Sequence, residues 1–317
     1  MSQGLAGYVI RRLLWTVPVI VAISILVFLL LRLAPQDPID SLLGQRYDEE
    51  IAQRLRAKYG YDRPLHIQYL KYVQNLFQGD LGVSTKHGDF SVAEVIIPKI
   101  RVSAGMGIMA IILVFGLGIP VGVYAALVRG SFLDPLIIGF WLLIDSIPVF
   151  VSAVVAPWLF ALQLGWVDLT YEGVLHPNII LPVFVMSLPG VAGVARLMRA
   201  SVIQVSNEEY VRTARAKGLR ERTVVVSHVV RNALLPMITA IGLSLPGLFA
   251  GSLFVELLFG IPGIARESLQ AVLGFDFDVV LGLVLFGSVL FVLANILIDI
   301  AYGFIDPRIR ITAARGG

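Results

Sequence analysis

The chain has 317 residues, 57% hydrophobic and only 15% charged, with a mean hydropathy of +0.84. Soluble domains carry about 25% charged residues, so the composition excludes an ordinary soluble domain and points to an integral membrane protein. The absence of cysteine excludes disulfides, thiol catalysis and cysteine-based metal sites. A net charge of +3 raises nucleic acid as a partner, but the arginines cluster beside apolar runs, which argues for membrane topology and against nucleic acid.

Leu13 to Leu31 is uncharged and follows Arg11 and Arg12. A cleaved signal sequence has a similar layout, but its apolar core runs about 7–15 residues and ends at a small-x-small site. The run here is longer, and Arg32-Leu33-Ala34-Pro35 is a poor cleavage site. Residues 1–32 are therefore read as the N-terminus and first membrane helix, starting on the cytoplasmic side. Residues 33–101 read as a small extracytoplasmic region. Asp48 to Tyr59 reads as a helix stopped by Gly60, and Pro64 can open a second helix running to about Phe77. Gly79, Gly82 and Gly88 break the stretch beyond it. Such a region is too small for an enzyme domain, and its Lys and Arg fit an outer location because long translocated segments escape the positive-inside rule.

Residues 102–317 are expected to form a five-helix core. Val102 to Val128 is long enough for a tilted span, which needs about 20 residues. Its Gly105, Gly107, Gly116, Gly118 and Gly122 let helices approach closely. Arg129 to Asp134 reads as a cytoplasmic turn. Leu136 to Leu164 reads as a third span, interrupted by Asp145, Pro148 and Pro157. Gly165 to His176 is a short outer loop. Ile179 to Ala195 is a fourth span, with Arg196 and Arg199 at its cytoplasmic exit. Ala233 to Val255 is a fifth, Gly260 to Asp278 an outer connection with its own short helix, and Val279 to Ile298 a sixth. The tail, Asp306 to Gly317, carries Arg308, Arg310 and Arg315. Backbone groups in lipid must be satisfied internally, so each uncharged run must be helical. The expected fold class is an all-α integral membrane protein of six transmembrane helices with both termini cytoplasmic.

Between the fourth and fifth spans, residues 196–232 form a polar loop rich in arginine, which places it on the cytoplasmic side. Ser206 or Asn207 can cap a helix there. Glu208 and Glu209 suit its first turn and Arg215 and Lys217 its last, where the helix dipole favours each charge. Gly218 supplies a left-handed turn. A second helical run, Glu221 to Asn232, leads to Leu235-Pro236. Ala214 and Ala216 read as a narrow exposed face allowing close approach by a partner, flanked by Arg212 and Arg215.

The wording TARAKGL…HVVRNALLP, with Ala214, Gly218 and Leu235-Pro236, resembles the cytoplasmic loop of permease subunits in binding-protein-dependent ABC importers, in the oligopeptide, dipeptide and nickel branch. Arg212 and Thr213 replace the Glu and first Ala of the general motif, and the spacing from Gly218 to Pro236 is longer than in maltose-type permeases. Both departures look like that branch's own variant. The resemblance implies a type I ABC importer permease fold in the bacterial cytoplasmic membrane. It implies a homologous second permease, two ABC ATPase subunits and an extracytoplasmic solute-binding protein as partners. ATP and magnesium would be bound by the ATPases, and no cofactor is expected in this chain. The residues implied in ATPase coupling are Glu208, Glu209, Tyr210, Arg212, Thr213, Ala214, Arg215, Ala216, Lys217, Gly218 and Pro236. The transported solute would be a peptide or a related solute, with nickel or an oligosaccharide as the alternatives.

Other residues are candidates for the pathway or its gate. Asp145 lies inside an apolar run, where an acid is costly and marks a functional site by default. Ser146, Pro148 and Phe150 follow it in a string similar to the family's third span, and Pro148 can kink a helix. Glu256 precedes Phe259-Gly260-Ile261-Pro262-Gly263, similar to the family's acid and Pro-Gly turn at an outer mouth. Asn295 and Asp299 share one helix face. Gly79 to Lys86 lacks the order of a phosphate-binding loop, so ATP hydrolysis is not expected, nor is any enzyme activity. His66, His87, His176 and His228 are scattered without metal-ligand spacing. An ion-coupled transporter or channel using Asp145 and Asp299 is the rival class, and it does not account for the structured loop.

Overall fold

The computed structural model describes residues 3–33, 37–44, 47–88, 90–244, 247 and 251–305, with the backbone alone for 3–10, 12, 13 and 297–305. The tail from residue 306 therefore lies outside the described residues, as does the side chain of Asp299. The chain divides into two compact units, Met1–Ser103 with Pro262–Gly317, and Ala104–Ile261. Among the described residues five helices are long and apolar enough to cross a membrane, or six if one bent pair counts as a single span.

In the first unit, α1 (Gln3–Arg32) packs along α15 (Phe277–Ile305). Phe28, Leu281 and Leu285 are buried between them, against Tyr69, Tyr72 and Leu76 of α4 (Leu65–Phe77). Arg32 ends α1 beneath aromatic rings, with its guanidinium carbon 4.0 Å from the Tyr61 ring centre and 5.9 Å from that of Phe277. A cation on ring faces recovers part of its lost hydration. Two short helices precede α4. Pro38–Leu43 forms α2, unforeseen in the sequence, and Glu49–Tyr59 forms α3. Asp48 caps α3 by accepting from the amides of Glu50 and Ile51. Gly60 ends it at φ 74°, as its position in the sequence suggests. Arg56 ties α3 to α2 by bonds of 2.8 Å to Asp37 and 2.7 Å to Asp40.

α5 (Val92–Leu127) begins ten residues before the expected second span and is 36 residues long. Glu94, Lys99 and Arg101, assigned by sequence to the outer segment, lie in its first three turns. The expected boundary at residue 101 thus falls inside a helix. Of the α5 glycines, Gly118 and Gly122 serve the close approach anticipated for them, and they do so in the second unit. A Cβ on Gly118 would lie 2.7 Å from Val194, and one on Gly122 only 2.4 Å from the carbonyl of Ala195, both on α8 (Ile180–Ser206). Gly190 makes the reciprocal approach, to Val114. Gly116 faces open space.

Three further spans differ from the sequence reading. The third breaks into α6 (Leu133–Asp145) and α7 (Val149–Pro157), bent by 89° across Ser146-Ile147-Pro148. The ring of Pro148 bars the preceding residues from continuing the helix. A π-helical turn, Trp158–Gln163, prolongs α7. The fourth span does not stop at Ala195, because α8 runs on to Ser206 with Arg196 and Arg199 inside it. The fifth starts earlier than expected and stops sooner. Its helical run covers Glu221–Ser244, and Leu253–Leu258 is a separate short helix. The connection after it does carry its own helix, Ile264–Leu273.

Replacing Gly122 by leucine will separate α5 from α8, since a backbone carbonyl cannot yield as a side chain can. Overpacking of this kind costs roughly 1–3 kcal/mol or more. A lowered melting temperature for Gly122→Leu, beside an unchanged Gly116→Leu, checks it.

Candidate coupling segment and intramembrane charges

The polar segment starts where α8 stops. Ser206 and Asn207 do not cap the next helix as expected. Ser206 Oγ donates back to the Val202 carbonyl at 2.7 Å, and Asn207 Nδ2 to that of Ile203 at 3.0 Å. Both close α8, because a side chain four residues along a helix reaches its own preceding turn. α9 (Glu209–Ala216) therefore begins at Glu208, which makes no side-chain cap. Glu209 sits in its first turn, where the helix dipole favours an acid.

One face of α9 is fixed. Val211 and Ala214, three apart, are buried with Met198 and Val202 of α8 and with Val224, Val229, Ala233 and Met237 of the following helical run. This corrects the reading of Ala214 as part of an exposed face: it points into the core, and only Ala216 is exposed. Glu208, Glu209, Tyr210, Arg212, Thr213 and Lys217 are exposed on the other side. Partial burial and the neighbouring Glu208 push the Tyr210 hydroxyl above its ordinary range. Arg215 is also exposed, but it is held within the chain by bonds of 2.8 and 3.2 Å to Glu221. That leaves Arg212 and Lys217 as the exposed cations of the helix without such a bond in the described structure.

Gly218 ends α9 at φ 75°. Its amide donates to the Arg215 carbonyl at 2.9 Å, and the Leu219 amide reaches back to Ala214 at 3.4 Å. These two bonds make a Schellman motif, which requires a left-handed residue at that point. The chain then re-enters helix as α10 (Glu221–Thr223), a π-helical stretch Val224–Val230, α11 (Arg231–Ala233) and α12 (Leu235–Ser244). Pro236 lies in the first turn of α12, where its missing amide hydrogen has no helical partner to lose.

Two charge pairs between α6 and α8 lie in the same unit. Arg199 of α8 grips Asp134, in the first turn of α6, with Nε at 2.7 Å and Nη2 at 2.5 Å from its two carboxylate oxygens. Arg196, one turn earlier, approaches Asp145 at the far end of α6 to 3.8 Å. The sequence isolates Asp145 as a candidate but leaves both partners unseen, because it treats Arg196, Arg199 and Asp134 as marks of span ends. Ser146 donates to the Leu142 carbonyl, and Pro148 heads α7. Phe150 meets Phe254 of α13 (Leu253–Leu258) at 5.6 Å between ring centres. Glu256 on α13 is fully buried. Pro262, Gly263 and Asn295 belong to the other unit. Gly263 heads α14 (Ile264–Leu273), and Asn295 donates to the Phe291 carbonyl of its own helix. Among the described residues no cluster of His, Asp or Glu has the geometry to hold a metal.

An all-helical membrane chain with charge pairs between two of its helices and a further helix seated on the ends of its spans fits a transport-system membrane subunit. The family described as "Binding-protein-dependent transport system inner membrane component" matches residues 118–311, and the N-terminal membrane component of the same systems matches residues 5–92. The chain belongs to this family. It is 37% identical to the oligopeptide transport system permease protein OppB of Haemophilus influenzae, over 96% of this chain and 99% of that one. It is 34% identical to the dipeptide transport system permease protein DppB of Escherichia coli K12, over 96% and 98%. Among solved structures it is similar to an inward-facing MetNI methionine ABC transporter at TM-score 0.56 and 16% identity, over 67% of this chain and 96% of that one. The fold is thus that of a type I ABC importer permease. The chain is a non-catalytic, multi-pass subunit of the inner membrane, which removes the ion-coupled transporter as a rival.

The two ion pairs differ in worth. The Arg199–Asp134 pair is bidentate with its acid buried, so removing one member costs up to about 3 kcal/mol, whereas the loose, half-exposed Arg196–Asp145 pair is worth under about 1 kcal/mol. Asp134→Asn should therefore lower the thermal stability of the purified chain far more than Asp145→Asn. Equal melting temperatures for the two variants would contradict this assignment.

Proposed function

We propose that the chain is one of two permeases in a peptide importer, and that α9 is its contact with an ATPase subunit. The observation that carries this reading is the division of α9. Its Val211–Ala214 face is locked into the core that also contains α8 and the run to α12, while Tyr210, Arg212, Thr213, Ala216 and Lys217 face outward. A push on the outer face must then move the ends of two spans together. The relatives named as oligopeptide and dipeptide permeases support the solute class. Nickel or an oligosaccharide remain the other cargoes of the branch.

In this reading the second permease shares the pathway, and an external binding protein delivers the solute. ATP binding closes the two ATPases against α9. The termini and residues 196–232 face the cytoplasm, while residues 33–91 and the connection around α14 face outward. The α6–α7 break, with Asp145, Ser146, Pro148 and Phe150, and the segment from Glu256 through Pro262 to Gly263 are assigned to the pathway and its outer gate. Asn295 is placed along the same pathway.

Gly218 supplies the test. A Cβ there meets no atom within 4 Å, so substitution acts only through the backbone. The left-handed conformation costs a residue with a Cβ roughly 1–2 kcal/mol, and Asn tolerates it best. The assembled complex carrying Gly218→Val should bind its partners yet lose stimulation of ATP hydrolysis by the loaded binding protein. Gly218→Asn should keep most of it. Full coupling in Gly218→Val would remove α9 from the mechanism.

A further inference from the structure

In the unit made of Met1–Ser103 and Pro262–Gly317, the segment 83–88 wraps the carboxylate of Asp276, which is 1% exposed. Ser84 Oγ donates to Asp276 Oδ2 at 2.5 Å, and the amides of Thr85 and Lys86 approach the two carboxylate oxygens at 3.3 and 3.4 Å. A serine hydroxyl has one hydrogen, and here it goes to the carboxylate. The same Oγ accepts from the His87 amide at 2.9 Å and lies 3.0 Å from His87 Nδ1. With the hydroxyl hydrogen spent, Nδ1 must carry its own hydrogen and donate it.

A neutral imidazole has one N–H, so Nε2 of a neutral His87 would present a bare lone pair. Nε2 lies 3.5 Å from Glu267 Oε1. Glu267 is 1% exposed, its Oε2 is taken by Lys99, and its buried Oε1 has no hydrogen-bond donor. Two acceptors would then face each other, one of them a buried carboxylate, at a cost of about 1–3 kcal/mol or more. The arrangement is one proton short.

We propose that His87 and Glu267 form a proton-binding site, with the proton on Nε2 shared toward Oε1. The imidazolium then clasps the 83–88 segment to α14. Lys99 of α5 balances Glu267 from the other side. Asp276, 3.9 Å from Nδ1, adds a second buried negative charge facing the ring. Lys86, the nearest cation on the segment itself, turns its ammonium to the carbonyl and hydroxyl of Ser41. The His87 side chain is 38% exposed, so protons exchange with solvent directly. A histidine that gains a partner on folding stabilises the protonated state. The clasp is therefore present when the ring holds both protons and lost when it is neutral.

The full-length chain in nanodiscs tests this at about pH 5.5 and about pH 8.5. The wild type should melt at a lower temperature at the higher pH. Glu267→Gln should abolish this difference, because its amide donates to a neutral imidazole and no proton is needed. His87→Gln should abolish it too, by supplying a permanent N–H donor. A pH difference undiminished in both variants, or absent from the wild type, would overturn the proposal. Should Glu267→Gln fail to fold once Lys99 loses its partner, nitrogen resonances of selectively labelled histidines decide the matter. A His87 ring, identified by its absence from His87→Gln, that keeps its second proton to a higher pH than the exposed His66 upholds the site, and one that loses it no later than His66 refutes it.

Discussion

The crossing of α5 and α8 at Gly118 and Gly122 is the constraint on which the second unit depends. At Gly118 the backbone of α5 lies directly against the Val194 side chain, and at Gly122 against the Ala195 carbonyl, with no room for a Cβ at either. Apolar side chains gain nothing from leaving lipid for one another, so packing in a membrane rests on close contact rather than on hydrophobic exclusion. Small residues four apart make that contact continuous over a helical turn. With α8 fixed in this way, Arg196 and Arg199 are aimed at the two ends of α6, and Met198 and Val202 form the floor on which α9 rests.

The path from α9 into the membrane depends on the same helix. Val211 and Ala214 touch residues both before and after the turn at Gly218, so α9 is not a flap on a flexible tether. It is wedged between the end of α8 and the start of the run to α12. The Schellman turn fixes its direction, and the Arg215–Glu221 pair spans the turn from outside. A rigid wedge passes on displacement, whereas a mobile loop would absorb it.

The sequence makes much of this legible, and the limits have physical causes. Gly60 and Gly218 declare their roles because a left-handed helix end is local chemistry, whereas the cap at Asp48 shows only in the structure. The helix bounds are less legible, since a charge ordinarily marks the edge of a span. Arg196 and Arg199 break that rule because each finds an acid on α6, and Glu94, Lys99 and Arg101 break it because α5 is longer than a bilayer is thick. Ser206 and Asn207 fit an N-cap by residue type, yet the preceding helix has carbonyls within their reach and takes both. The burial of Ala214 is hidden because alanine suits either face of a helix. The 3.5 Å approach of His87 to Glu267 joins positions far apart in the chain, and no spacing rule announces it. For the candidate pathway, the sequence singles out the α6–α7 break by its proline but cannot supply its angle.

The two arginines of α8 also bear on how the chain is made. An arginine at the centre of a membrane helix costs roughly 2.5–3.5 kcal/mol on insertion scales, and less toward a helix end; α8 carries two in its last three turns. Their acids lie on α6, which is synthesised first. Asp134 and Asp145 therefore precede in the chain the two charges they pair with. Reversing that order would present the membrane with two unmatched cations, so the order of the helices along the chain is itself an aid to insertion.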